Sequence, residues 1–240
     1  VHEIPEGGRL ARGKAIVNLL ELGPGEKVTT ILPLKEFSKG KFITFVTKNG
    51  VIKKTPLEAY SIPRSGGIIA IALDEGDELI ATKLTDGKQH LFIGTRFGKA
   101  IHFPETQVRV SGRVARGIRA IRLSKGDDVV GMEVVGPHTQ ILTVTEHGYG
   151  KRTEASEYRA QNRGGSGIFT VKRTPRTGDV IGIMTVQDED EIMLIANKGR
   201  IIRLRAGDVR LQGRNTQGVR LIDLEEGERV VGVARLAEKE

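Results

Sequence analysis

The sequence predicts an all-β fold, a propeller-like ring of four-stranded blades with four complete blades and one partial. Three observations predict it. Basic loops that end in glycine recur at residues 8–13, 112–117 and 213–218, with looser copies at 63–67 and 161–167. Their closing glycines, Gly13, Gly67, Gly117, Gly167 and Gly218, lie 54, 50, 50 and 51 residues apart, and a second series, Gly50, Gly98, Gly148 and Gly199, is spaced by 48, 50 and 51. Two independent landmarks that share one period mark a repeat array. Within each period the apolar residues alternate over short β-branched runs, the two-residue period of half-buried strands, and no stretch carries helical periodicity beyond about one turn. Closing such strands into a ring disposes of their free edges.

A single domain over residues 1–240 is expected, built of units at about 8–62, 63–111, 112–160, 161–212 and a partial 213–240. The third unit shows the elements in order: strands at 118–123, 128–135, 140–145 and 150–153. Ser124 to Asp127 joins the first two and Glu146 to Gly148 the last two, both compact glycine-bearing turns. The fifth unit holds strands only at 219–224 and 229–236, two short of a blade. Its partners are expected upstream of Val1, with residues 2–4 as their tail end. The first residues have no basic or apolar leader and no initiator Met, as expected of a piece of a longer polypeptide.

Composition excludes several functions. The 240 residues contain no Cys, which removes a disulfide framework, a thiolate zinc site and thiol catalysis. The longest uninterrupted apolar run, 68–73, is far below the ~20 residues of a membrane-spanning helix. Apolar residues at 38%, together with 31 glycines, fit a globular chain rich in tight turns. Of the histidines, His2, His90, His102, His138 and His147, none has a partner at metal-ligand spacing, and all read as surface or strand-edge groups. The acidic run 188–191 lacks the alternation of a calcium loop and reads as a solvated hairpin tip. The run 164–167 neither leads a strand into a helix nor carries a P-loop Lys. Catalytic residues, a metal site and a cofactor are therefore not expected.

Charge is more informative. Lys and Arg number 38 against 30 Asp and Glu, a net charge of +8. Residues 96–122 hold seven bases and one acid, and 151–176 hold seven bases and two acids. Acids gather at 74–78, 127–128 and 225–228. Because these phases repeat with the blade, a basic zone and an acidic zone are expected on different faces, the basic one forming a track for a polyanion. The candidate contacts are Arg9, Arg12, Lys53, Lys54, Arg64, Arg96, Lys99, Arg113, Arg116, Arg119, Lys151, Arg152, Arg163, Arg203, Arg205 and Arg214. Two readings stay open for the loop arginines, which either bond phosphates or hold turns through carbonyls. The fourth-strand bases Lys53, Lys54, Lys151, Arg152, Arg203 and Arg205 either face the polyanion or guard an edge against aggregation. With aromatics at 4%, contact with a duplex backbone is favoured over single strands, which need stacking platforms.

The loops at 8–13 and 112–117, Val17 to Leu20, Gly148 to Thr153 and Gly213 to Val219 resemble the C-terminal domain of the DNA gyrase A subunit, over essentially the whole chain. The resemblance implies a β-pinwheel, a ring of blades in which neighbouring units exchange strands, with duplex DNA wrapped around a basic rim. It implies a non-catalytic module of an ATP-dependent type II topoisomerase, in a bacterial cytoplasm and nucleoid-associated. Its partners would be double-stranded DNA, the remainder of the gyrase A subunit and the gyrase B subunit, with no membrane. The cleaving Tyr, ATPase and metal would lie elsewhere. The family's box reads Gln-Arg/Lys-Arg-Gly-Gly-Arg/Lys-Gly. Here Gln161, Arg163, Gly164, Gly165 and Gly167 fit it, while Asn162 and Ser166 replace its other two bases, a degenerate copy. The alternatives are the equivalent domain of topoisomerase IV and a protein-interaction propeller whose basic face docks an acidic partner.

Overall fold

A hairpin ends each of the units 8–62, 63–111, 112–160 and 161–212. In the computed structural model, which describes residues 13, 15, 18, 20, 22, 23, 25–62, 64 and 66–236, the hairpins are β1 (Phe42–Thr47) with β2 (Val51–Pro56), and β4 (His90–Thr95) with β5 (Lys99–Pro104). The next two are β8 (Gln140–Thr145) with β9 (Tyr149–Glu154), and β12 (Glu191–Ala196) with β13 (Ile201–Arg205). The four hairpin turns end at Gly50, Gly98, Gly148 and Gly199, each with φ near +80°, the left-handed region where a Cβ is costly. A single turn of 3₁₀ helix follows each hairpin, at Leu57–Tyr60, Glu105–Gln107, Ala155–Glu157 and Ala206–Asp208.

The remaining strands join hairpins from which they are distant in sequence. β3 (Leu79–Thr85), β7 (Val129–Val135), β11 (Val180–Val186) and β15 (Val230–Arg235) pair with the first strands β1, β4, β8 and β12. The two-residue strands β6 (Ile118–Arg119), β10 (Ile168–Phe169) and β14 (Val219–Arg220) pair with the second strands β2, β5 and β9. All pairs are antiparallel. The result is three four-stranded sheets, β3-β1-β2-β6, β7-β4-β5-β10 and β11-β8-β9-β14, and a three-stranded sheet β15-β12-β13. Every four-stranded sheet thus draws on three successive repeats.

Apolar cores lie between the sheets. Strand residues alternate faces, and in the β4–β5 and β8–β9 hairpins both faces are covered by neighbouring sheets. Val46, Ile52, Leu91, Ile101, Phe103 and Met132 fill the layer between the first and second sheets. Phe92, Ile141, Tyr158, Val180 and Ile183 fill the next, and Leu142, Val144, Ile192 and Leu194 the third. Ile43, Phe45 and Leu57 on the outer face of the first sheet are covered by Leu32, Leu34 and Ile71.

The all-β, strand-exchanging ring of blades is as the sequence predicts. Of the expected four complete blades and one partial, the described residues supply the three four-stranded sheets and the open-edged fourth. Residues upstream of 25 lie largely outside them. The expected strand at 118–123 shortens to Ile118–Arg119, because the chain from Ala120 turns to bond the Gly50 carbonyl. The two strands of unit 213–240 join different sheets, β14 closing the third and β15 entering the fourth.

Candidate nucleic-acid interface

A loop drapes along the outer edge of each four-stranded sheet. On the first sheet, Val110 lies parallel to Lys54, Ser111 donates to the Lys54 carbonyl at 2.9 Å, and the chain loops round to pair Arg119 with Val51. On the second, Gln161 donates to His102 O at 2.7 Å and Phe169 pairs with Lys99. On the third, Gln212 donates to Arg152 O at 2.9 Å and Arg220 pairs with Tyr149. The closing glycine is what lets the loop come so close. A Cβ on Gly117, Gly167 or Gly218 would stand 2.5, 2.6 or 2.5 Å from the carbonyl oxygen of Ile52, Ala100 or Gly150.

Four expected DNA contacts face inward, a correction to the sequence reading. Lys53 is 1% and Lys151 0% exposed. Lys53 Nζ donates to the carbonyls of Ala70 and Arg113, and Lys151 Nζ to Gly213 O at 2.6 Å, Thr216 Oγ1 at 3.0 Å and the Arg214 carbonyl. Burial, reinforced by the nearby Arg113 and Arg214 charges, lowers both lysine pKa values to about 8. Lys54 is buried with Glu105, 3.5 Å away, and donates to its carbonyl at 3.1 Å. Arg152 Nε donates to Val209 O at 2.7 Å, and its terminal nitrogens bond Gln140 Oε1 at 2.7 Å, Gly207 O at 3.0 Å and Asp188. These cations satisfy loop carbonyls that burial would otherwise orphan. Asp188 is accordingly not merely a solvated tip residue. The same strand position in the second sheet is His102, whose Nδ1 lies 2.8 Å from Tyr158 O and whose Nε2 meets His90 Nδ1 at 2.9 Å. The sequence spacing of these two histidines is not that of a metal-ligand pair, and it is the β4–β5 pairing that brings their rings together. Among the described residues no three His, Asp or Glu side chains gather as metal ligands.

The loop arginines bond carbonyls. Arg113 reaches Ile69 O at 3.2 Å, Arg163 reaches Gln107 O at 3.1 Å and the Arg119 carbonyl, and Arg214 reaches Phe169 O at 3.3 Å, each back to the preceding loop. All three remain half-exposed, so they hold turns while leaving N–H groups toward solvent. The degenerate box sits on the second draped loop. Gln161, Arg163, Gly164, Gly165 and Gly167 are half-buried, whereas Asn162 and Ser166 are exposed. The copy keeps the members that shape the loop and has lost the two that would put charge into solvent.

Other expected contacts vary. Arg64, Arg119 and Arg205 are exposed and without an acidic partner among the described residues, and Lys99 is half-buried against Phe169. Arg96 pairs with Asp128 at 3.1 Å, Arg116 with Asp74 and Arg203 with Glu191. Arg9 and Arg12 lie outside the described residues. The acidic clusters are not a separate face at these points. Glu78, Asp128 and Glu225 pair with Lys48, Arg96 and Arg200, while Asp77 and Asp127 accept the backbone N–H of Asn49 and Phe97 at 2.9 and 2.8 Å, fixing hairpin turns.

Sequence reasoning passed over the most regular outward cations. Arg109, Arg159 and Arg210 each follow the 3₁₀ turn at the start of a draped loop, at the 50-residue period. All three are exposed, and none has an acidic partner among the described residues. Their spacing was legible. A basic notch of about 320 Å³ on the third sheet was not. There Tyr149 Oη accepts from Arg220 at 3.3 Å and Arg176 Nε at 2.7 Å, beside His147. The Arg220 and Arg176 bonds hold the phenol pKa below its ordinary value.

The chain matches the family described as DNA gyrase C-terminal domain, beta-propeller, over residues 1–35, 41–86, 89–136, 139–187 and 190–237. It belongs to that family. The gyrase A subunit of Salmonella typhimurium strain LT2 is 45% identical over 238 residues, 99% of this chain and 27% of that protein. The chain thus spans about a quarter of the length of the relatives it matches. Among solved structures, the C-terminal domain of DNA topoisomerase IV superposes with a TM-score of 0.88 at 29% identity, covering 93% of this chain and 70% of that one. A DNA gyrase A C-terminal domain superposes at 0.85 with 25% identity, covering 95% and 76%. Each matched segment of the gyrase family from 41 onward begins at one of the four hairpins.

Proposed function

We propose that this chain is a single DNA-binding domain that bends a duplex around its rim and presents it to a type II topoisomerase core for directional strand passage. Gyrase A and gyrase B supply the cleaving and ATP-hydrolysing residues in the bacterial cytoplasm, and this domain performs no chemistry. The observation that carries the reading is the recurrence of Arg109, Arg159 and Arg210, exposed and without acidic partners among the described residues, on loops that edge three successive sheets. Exposed charges at one position of three successive units form a track, because successive units meet successive stretches of the phosphate backbone. Arg113, Arg163 and Arg214 supplement it with their free N–H groups, as do Arg64, Lys99, Arg119 and Arg205. Lys53, Lys54, Lys151 and Arg152 are assigned to holding the loops.

Bending ~50 bp through a half turn costs on the order of 10 kcal/mol, given a persistence length of ~150 bp. Many contacts must act together to offset that. Sequence-tolerant binding that weakens steeply with salt is the expected signature. The test is relaxation of closed circular plasmid by a nicking-closing topoisomerase in the presence of the domain. A trapped supercoil of one sign is the expected result. Plasmid relaxed to the same linking number with and without the domain, at concentrations where a long duplex is bound, would refute wrapping.

A further inference from the structure

The second blade departs from the others at two rim positions. The hairpin-turn residue before the glycine is Asn49, His147 and Lys198 in three repeats and Phe97 in the second. The outward residue of the short edge strand is Arg119 on the first sheet, Arg220 on the third and Phe169 on the second. Phe169 is 52% exposed. Single exposed apolar residues need no explanation, but here both replacements fall in one blade and line one pocket, of about 520 Å³. That volume lies in the ~300–1,000 Å³ range of small-ligand sites.

The walls are cationic and hydrogen-bonding. Arg173 stacks over Phe97 at 4.0 Å from the ring centre, and Lys99 Nζ lies 5.6 Å over Phe169. Arg173 is balanced by Asp179 at 2.8 Å, whereas Lys99 and Lys172 have no acidic partner among the described residues. Ser124 and Asn215 also line the pocket. Asn215 belongs to the draped loop of the third sheet, which the Lys172 N–H ties to this blade through Thr216 O at 2.9 Å. The pocket therefore lies where the track passes from the second sheet to the third.

We propose that this pocket receives one unstacked nucleobase of the bound duplex, its face on Phe169 and on the Arg173 guanidinium that Phe97 supports, its phosphate on Lys99 and Lys172, and its edge toward Ser124 and Asn215. Aromatic side chains flanked by cations are the platform on which bases stack regardless of sequence. A bend already strains stacking, most at flexible pyrimidine–purine steps, so the platform selects where along the track the duplex yields. The cationic walls, without an acid among the lining residues, favour a nucleic acid over a protein partner.

The inference rests on the wrapping reading, and the test separates the two. A duplex of about 150 bp carrying 2-aminopurine at pyrimidine–purine steps is titrated with the full chain at low salt, and anisotropy and emission are followed together. Binding should raise emission severalfold, as stacking quenching is lost. Phe169→Arg, which installs the residue of the first and third blades at an exposed site, should bind within threefold of the parent or more tightly and lose the emission rise. Phe97→Asn, with the residue of the first hairpin turn, should do the same. Binding without an emission rise, or a rise retained in both variants, overturns the nucleobase site alone. Absence of duplex binding overturns both readings. Aromatic-ring NMR signals of Phe97 and Phe169 should shift on adding the duplex. If they shift instead with a peptide of alternating Glu and Phe, the pocket is a protein-docking site and the proposal fails.

Discussion

Replacing Arg109, Arg159 and Arg210 together by alanine isolates the rim track from the fold. None of the three has a hydrogen bond from its side chain or an ion pair among the described residues, and all are exposed. Substitutions at such positions change stability by roughly 0.5 kcal/mol or less. For a chain of this length that is a melting shift below about 2 °C for each substitution, or about 5 °C at most for the three. The binding effect should be large by contrast. If each arginine neutralises one phosphate, the slope of log K against log salt falls by ~0.9 per residue, or ~2.7 for the three. Between 50 and 200 mM salt that slope difference narrows the gap between parent and variant by about 40-fold. The assay is fluorescence anisotropy on a duplex of about 150 bp at four salt concentrations, with thermal melts in parallel. An unchanged slope in a variant that melts with the parent would refute the track.

Restoring charge to the degenerate box should work in the opposite sense: Asn162→Arg with Ser166→Arg, both at exposed positions, should steepen the salt slope by ~1.8, measured on the same duplex. Arg163→Ala removes bonds to two carbonyls and should cost about 1–3 kcal/mol in a denaturant melt, so a full-stability variant would contradict its turn-holding role. Arg152→Met should lower stability by roughly 3–5 kcal/mol through its orphaned acceptors yet leave the salt slope unchanged below the melting point; a reduced slope would return Arg152 to the interface. The lysines predict a pH dependence. The folded-state pKa values of Lys53 and Lys151, about 8, lie below the unfolded value of 10.5, so the unfolded chain binds more protons in that window and stability rises with pH between about 8 and 10.5, by at most about 3 kcal/mol per lysine. Lys151→Met should flatten that rise in melts at pH 7.5 and 9.5, and an equal rise in the variant would exclude Lys151 as its source.

Sequence alone disclosed the period because steric constraint repeats with it. Gly117, Gly167 and Gly218 recur where a Cβ would strike a carbonyl oxygen, and Gly50, Gly98 and Gly148 where the hairpin turn needs positive φ. Alternation found the hairpins to within a residue, as at 140–145. Alternation cannot say which distant strand covers a face. Lys151 and Arg152 are adjacent on β9 and point to opposite sides, one toward the loop around Gly213 and the other toward Val209. Only the arrival of a loop some 60 residues on makes both sides interior. The loop arginines were ambiguous for the same reason, since their carbonyl acceptors lie 44 to 56 residues back. Arg109, Arg159 and Arg210 were visible in the spacing but hidden among bases that turned out to be paired or buried.

Because a four-stranded sheet takes its central hairpin from one unit, one edge strand from the next and the other edge strand from the one after, no unit is autonomous. In an ordinary repeat array, stability is a sum of units and nearest-neighbour interfaces, and truncation from one end removes units one at a time. Here removal of residues 180–220 would strip both edge strands from the third sheet and also take the β12–β13 hairpin of the fourth. Cooperativity therefore extends to second neighbours. Unfolding should spread along the array as a single event where independent blades would melt in steps, and the closure of contacts as distant as Val51 with Arg119 should make folding slow. The rim loops, each held by glycine contact, and on the first and third sheets by buried cations, to a sheet begun two units earlier, share that cooperativity, so the proposed track remains rigid for as long as the whole array does.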